Sequence, residues 1–359
     1  MKLLQLLLLT LLLPALLQAQ ELRDNFTLVL HGGAGNITKD NVSPERKKAV
    51  EAAMQEALAT GHAILAAGGT AVEAVEKSIR ILENSPEFNA GKGAVFASDG
   101  TNQLDASIMD GANREAGGVA GVRTVKNPIS AARLVMEKSP HVLLSGTGAD
   151  QFARDEGLEI VEPDYFRVES RFRRYQQAQE KDQLEQKLRE QMNPSGKDRG
   201  YLEPTLGPND KYGTVGAVAI DRHGNMAAGT STGGMNFKKY GRIGDSPLIG
   251  AGTYANNETC AVSCTGHGEY FIRAMVAYDM SALVEYDGNT VEEAAYIIIH
   301  EKLPGLGGKG GLISVDDKGE MVADFNTAGM FRATINQTGW GEIGMFEPGT
   351  EEPFKLEAK

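Results

Sequence analysis

The chain has 359 residues, enough for one large layered domain, and at 41% hydrophobic and 23% charged it has the composition of an ordinary soluble globular protein. A formal charge of −12 argues against a nucleic-acid or anionic-membrane surface, and no basic stripe rescues either idea. Six scattered histidines and two cysteines show no ligand-type spacing, so no transition-metal site is visible.

The N-terminus reads as an export signal. Lys2 precedes a Leu-rich run from Leu3 to Leu17, and Gln18-Ala19-Gln20 supplies the small residues of a cleavage point. The run is short for a spanning helix, and no cysteine follows it to take a lipid. Residues 1–20 are therefore expected to be removed, leaving a periplasmic or secreted protein with no membrane attachment. The Asn-x-Ser/Thr sequons at Asn25, Asn36, Asn41, Asn257 and Asn336 matter only in a eukaryotic secretory host.

Phe26 to Leu30 is a short apolar strand ending in His31-Gly-Gly-Ala-Gly35. Ser43-Pro44-Glu45 caps a helix that runs to Gly68-Gly69. Thr70-x-x-Glu73 opens a second, with Val72, Val75, Ile79 and Leu82 on one side. Residues 89–96 read as a loop, 104–110 as a strand and 129–139 as a helix. From 165 to 213 the chain is charged, Gln-rich and poor in core residues. It is expected to be a flexible tether with a solvated helix over 176–191. Val215 to Ile220 has no polar side chain, as in a strand covered on both faces. Asp221-Arg-His-Gly224 turns it back along 225–231, and residues 312–325 repeat the strand–turn–strand design. A helix over 269–284 and another opened by Thr290-x-x-Glu293 lie between. Cys260 and Cys264, four residues apart in extended chain, sit about 13 Å apart and read as small core hydrophobes. Strand pairs with helices, rather than strict βαβ alternation, suggest a layered α/β sandwich.

The chemistry concentrates at Gly213-Thr214, just where the tether ends. A threonine hydroxyl is a poor nucleophile without a base, and one economical base is its own α-amino group, freed by cutting the preceding bond. That amine titrates near ~7.7–8.0, so a useful fraction is neutral at physiological pH. Gly213, with no Cβ, can adopt a geometry that turns its carbonyl toward the hydroxyl.

Seven ordered motifs then carry a resemblance. They are His31-Gly-Gly-Ala-Gly, Phe88-Asn-Ala-Gly, Leu104-Asp-Ala-Ser-Ile-Met-Asp-Gly, Gly213-Thr-Val-Gly-Ala-Val, Thr230-Ser-Thr-Gly-Gly, Gly241-Arg-Ile-Gly-Asp-Ser-Pro and Thr265-Gly-x-Gly-Glu269. From about 29 to 332 the chain resembles the plant-type asparaginase and isoaspartyl peptidase family of N-terminal nucleophile hydrolases. The resemblance implies one catalytic domain over 21–359, a four-layer αββα sandwich. Self-cleavage would divide it into an α portion, 21–213, and a β portion, 214–359. Thr214 would be the nucleophile and Thr232 its hydroxyl partner. Arg242 and Asp245 would grip the substrate's α-carboxylate and α-ammonium. Thr265 and Gly266 would form the oxyanion hole, Gly268 would meet the ammonium, and Asn89 would support the nucleophile's amino end. His31 is expected to be structural, in a loop that shifts during activation. Backbone carbonyls of Leu82, Glu83, Ser85, Phe88, Ala90 and Lys92 would encircle a structural sodium ion. No cofactor is implied for catalysis, and the assembly implied is a homodimer of cleaved units. The implied reaction releases L-aspartate from asparagine or from an isoaspartyl dipeptide.

Three rivals follow from the same residues. Gly229-Thr-Ser231-Thr-Gly233 matches a serine nucleophile elbow, but no helix follows to complete it. A glycosylasparaginase would share the clamp, yet such enzymes usually carry an acidic residue where this chain has Gly213. A non-catalytic periplasmic amino-acid-binding protein would use Arg242 and Asp245 alone.

Overall fold

A computed structural model describes residues 22–192 and 213–356. The export segment 1–20 and the part of the tether over 193–212 lie outside the described residues. Among the described residues thirteen strands form two stacked sheets. In chain order the first six are β1 (Thr27–Gly35), β2 (Leu104–Asp110), β3 (Ala116–Val122), β4 (Leu143–Ser145), β5 (Val215–Ile220) and β6 (Met226–Thr232). Then come β7 (Thr253–Ala255), β8 (Cys260–Gly266), β9 (Gly310–Asp316), β10 (Met321–Phe325), β11 (Gly329–Asn336), β12 (Trp340–Gly344) and β13 (Glu352–Lys355). The nine-stranded sheet runs β13-β12-β11-β1-β5-β6-β2-β3-β4, and the four-stranded sheet runs β10-β9-β8-β7.

Alternation along β1 and β5 sorts the core into layers. Leu28, Leu30, Ala217 and Ala219 face the helices Pro44–Ala66, Ala71–Asn84 and Pro128–Lys138 in one cluster. Val29, Val218 and Ile220, one residue out of step, meet Ala261, Ile313 and Val315 of the second sheet. Cys260, Val262, Cys264 and Leu312 point outward onto the helices Val276–Asp287 and Val291–Tyr296. The result is the expected αββα sandwich, with every residue of β5 buried. Both cysteines are free and buried, and burial pushes the Cys260 thiol up to about 12. Among the described residues no helix is long and apolar enough to cross a membrane.

The helix expected over 269–284 breaks at Met275, which adopts φ 49°, ψ 49°. The break lets the amides of Ala277 and Tyr278 bond the carbonyls of Ala251 and Gly250 instead of their own helix. The charged helix begins at Glu169, earlier than its composition indicates, and runs to Met192. Tyr175 anchors it against Phe96 and Phe237 at ring separations of 5.7 and 5.9 Å. Arg171 on the same helix is buried.

Candidate active site

Thr214 is the residue before β5, so the sheet sets its position from one side only. β5 is registered against β1 through Thr27↔Ile220 to His31↔Gly216, and against β6 through Val215↔Ser231. Both neighbours place a hydrogen-bonding group beside the Gly213–Thr214 bond. From β6, Thr232 Oγ1 accepts from Thr214 Oγ1 at 3.1 Å and donates to the Gly213 carbonyl at 3.2 Å. The Gly234 amide donates to Thr232 Oγ1 at 2.9 Å, which orients that hydroxyl. From β1, His31 Nδ1 bonds the Thr214 carbonyl at 3.1 Å while Nε2 meets Ser263 at 2.9 Å. Burial drives the His31 imidazole down to about 3, so it is a neutral, doubly tied strut at physiological pH.

The Gly213 carbonyl also accepts from Asn89 Nδ2 at 2.8 Å. Asn89 is itself fixed, accepting from the Val95 amide at 2.9 Å and donating to the Gly234 carbonyl at 2.7 Å. Two donors thus converge on the oxygen of the bond before Thr214. Gly213 has φ +152°, and a side chain there would press on Asn89 Cβ at 2.8 Å. Gly33, at φ +107° in a bulge of β1, passes so close that a Cβ would lie 2.7 Å from Gly213 Cα and 3.0 Å from the Thr214 nitrogen.

Gly213, Thr214, Thr232, Arg242, Asp245 and Gly266 line one cavity of about 20 Å³. Gly268 closes it from behind, where a Cβ would strike Asp245 Oδ1 at 2.8 Å and Arg242 Nη2 at 2.9 Å. Thr265 sits buried beside Gly266, its Oγ1 accepting from the Ala34 amide at 3.3 Å, which keeps its own proton available to donate. The sequence-derived site residues other than the carbonyl loop therefore meet around one point.

The charges do not pair as an Arg-x-x-Asp motif suggests. Arg242 makes a two-pronged ion pair with Glu269, Nε and Nη2 donating at 2.9 and 2.8 Å. Glu269 belonged to a recognised motif, but nothing in the sequence assigned it to Arg242. Asp245 is 4% exposed, and its Oδ2 has no hydrogen-bond partner. Burial raises its carboxyl to about 7, despite Arg242 nearby. An unpartnered carboxylate oxygen in a closed cavity is a place for a cation the free protein does not supply. Behind it Lys238 and Asp105, both with side chains 1% exposed, form a second buried pair at 3.8 Å.

Ser231 does not form a nucleophile elbow. It lies inside β6, paired with Ala106 and Val215, and its hydroxyl donates to Glu83 Oε1 at 2.7 Å on the helix side. Glu83 also accepts from the Ile129 amide and Asn127, and burial lifts its carboxyl to about 7. Leu82, Glu83, Ser85, Phe88, Ala90 and Lys92 fall on the end of the helix Ala71–Asn84 and the turns after it. Gly91 and Gly93 press onto the carbonyls of Glu83, Pro86 and Phe88 so tightly that neither has room for a Cβ. Among the described residues no cluster of His, Cys, Asp or Glu is arranged to hold a metal.

Comparison with known proteins agrees with this geometry. The profile described as Asparaginase matches residues 24–345. The chain is 47% identical over 317 residues to the isoaspartyl peptidase of Salmonella typhimurium, covering 88% of this chain and 95% of that one. It is 46% identical over 317 residues to the isoaspartyl peptidase of Escherichia coli, covering 88% and 93%. The isoaspartyl peptidase/L-asparaginase of Homo sapiens is 42% identical over 307 residues, covering 85% and 92%.

Proposed function

The chain belongs to the asparaginase family, and from that membership and the geometry around Thr214 we propose that it is a self-cleaving threonine hydrolase of β-aspartyl amide bonds. Its substrates are isoaspartyl peptides and L-asparagine, and its product is L-aspartate. The observation that carries the reading is the convergence at the Gly213–Thr214 bond of a hydroxyl nucleophile, its hydroxyl partner and two donors on the carbonyl.

In self-cleavage Thr214 Oγ1 attacks the Gly213 carbonyl carbon. Negative charge develops on the oxygen already held by Asn89 and Thr232. The carbon–nitrogen bond breaks, the nitrogen takes the proton, and water opens the resulting ester. The released α-amine then serves as the base for the Thr214 hydroxyl. In turnover that hydroxyl attacks the side-chain carbonyl of an aspartyl group. The N–H donors of Arg242 that Glu269 leaves over hold the substrate's α-carboxylate, and the orphaned Asp245 oxygen takes its α-ammonium. Thr265 Oγ1 and the Gly266 amide meet the developing oxyanion. Ammonia or an amino acid leaves with the proton, and water releases aspartate.

Purified protein given asparagine, a β-aspartyl dipeptide and a glycoasparagine is expected to release aspartate from the first two and leave the third intact. Turnover of the glycoasparagine alone, or binding of aspartate without turnover, would sink the reading. The intact mass of the same protein also tests removal of residues 1–20 on export, and its native mass in solution tests assembly as a dimer of cut chains.

A structural sodium ion belongs to the proposal too. The carbonyls of Leu82, Glu83, Ser85, Phe88, Ala90 and Lys92 would hold it, and the crowding of Gly91 and Gly93 onto two of them supports that fit. Sodium chloride is then expected to raise the melting temperature by about a few degrees over choline chloride at equal ionic strength. Equal melting in the two salts overturns this part.

A further inference from the structure

A second, larger cavity of about 130 Å³ also has Gly213 in its wall. Its walls include Gly33, Asn89, Glu87, Arg46, Arg171 and Arg174. Arg46 comes from the helix Pro44–Ala66, and the other two come from the helix Glu169–Met192. Glu87 is met by two of these arginines. Glu87 meets Arg46 Nε at 3.5 Å, and its backbone carbonyl accepts from Arg171 Nη2 at 3.1 Å. Burial, and then the charges of Arg174 and Arg46, hold the Arg171 guanidinium down to about 9. Among the described residues that line the cavity, three arginines stand against the single carboxylate of Glu87.

Gly213 lines both this cavity and the one holding Thr214, Arg242 and Asp245. In the uncut chain it is a wall common to both. The leaving nitrogen of a substrate must lie beside the Thr214 amine that protonates it. That amine sits against Gly33, a wall of the arginine cavity. The leaving residue of an isoaspartyl dipeptide is thereby directed away from Arg242 and toward the arginines, and its α-carboxylate lies only two bonds beyond the leaving nitrogen. Resting on the hydrolase reading above, we propose that the arginine cavity is the subsite for the leaving residue, with Arg46, Arg171 and Arg174 receiving its α-carboxylate. Asparagine, whose leaving group is ammonia, makes no use of it.

The test compares kcat/KM for β-aspartyl-leucine, β-aspartyl-leucinamide and asparagine on the mature protein and on an Arg46→Met/Arg174→Met double variant. Arg171 is left in place because it is buried. The unsubstituted protein is expected to prefer the acid to the amide by about tenfold or more, the scale of a charge-assisted hydrogen bond. In the double variant the acid-to-amide ratio should fall toward one, with each rate referred to asparagine turnover by the same preparation. Equal rates on acid and amide by the unsubstituted protein overturn the subsite, and that arm needs no substitution to fold. A preference that survives the double variant also overturns it. Equal rates with slowed self-cleavage in the variant assign the cavity to the carboxylate of the cut Gly213 tail instead, against the proposal. Loss of all three activities in the unsubstituted protein would be a failure of the hydrolase reading itself.

Discussion

Replacing Thr214 by alanine is expected to leave the purified protein as one uncut chain and to lower asparagine turnover by at least about 10⁴-fold, the scale of losing a catalytic nucleophile. The effect is large because one atom does two jobs. In the proposed mechanism Thr214 Oγ1 opens the bond before it and then opens every substrate, and the base for the second job does not exist until the first is done. The fold offers no substitute. The nearest hydroxyl, Thr232 Oγ1, already accepts from Thr214 and Gly234 and donates to the Gly213 carbonyl. The neighbouring Ser231 turns to the other face of β6 and is bonded to Glu83. Alanine removes no buried volume beyond a methyl and a hydroxyl at the end of β5, so the variant should fold. Its intact mass checks the expectation. A cut between residues 213 and 214 in the alanine variant would transfer the chemistry elsewhere.

The second large effect concerns Asp245 and has two opposite parts. Asp245→Asn is expected to lower kcat/KM for asparagine by about two to three powers of ten, since it strips a buried ion pair from the substrate's ammonium. The same change should stabilise the free protein. The carboxyl is raised by burial from 3.8 to about 7. Below pH 3.8 both folded and unfolded chains carry the proton and nothing is lost. Between 3.8 and 7 the unfolded chain releases it first, so stability falls as pH rises, by up to about 1.4 kcal/mol per unit. Above 7 the whole penalty stands. Asparagine carries no such charge, so the variant should melt higher than the parent at pH 8 and lose that advantage near pH 4. Thermal melts at the two pH values decide it, and a variant that melts lower at pH 8 contradicts the assignment. In the parent, kcat/KM should fall on the acid side of neutrality as Asp245 takes up its proton. A site held in readiness at a cost to stability is a common relation between function and fold.

The layers of the fold were legible because strand burial leaves a mark in composition. A run such as Val215 to Ile220 admits one environment, and the Ser43 and Thr70 caps bound their helices where the pattern places them. Thr214, Arg242 and Asp245 were legible because Gly-Thr, Arg-x-x-Asp and the surrounding glycines occur together in order. What remained hidden depends on distance through space. Nothing local says that Arg242 spends its fork on Glu269, or that Asn89 reaches the carbonyl of a residue 124 positions away. The Glu169–Met192 helix looks solvated because most of its side chains over 169–188 are exposed; two aromatics and one buried arginine fix its first half against the body. Met275 breaks its helix for backbone carbonyls on a neighbouring loop, which no propensity records.

The strand order of the large sheet has one more implication. Strands preceding Gly213 and strands following it interleave, since β1 lies between β11 and β5, and β6 lies between β5 and β2. Were the bond before Thr214 opened, the two pieces would still be stitched edge to edge by backbone hydrogen bonds, and neither would hold the complete nine-stranded sheet alone. Folding, first-order while the chain is whole, would become a second-order encounter between strangers of unequal length. On the proposed self-cleavage, the molecule assembles once as a single thread and afterwards persists as a pair that has lost the instructions for meeting again.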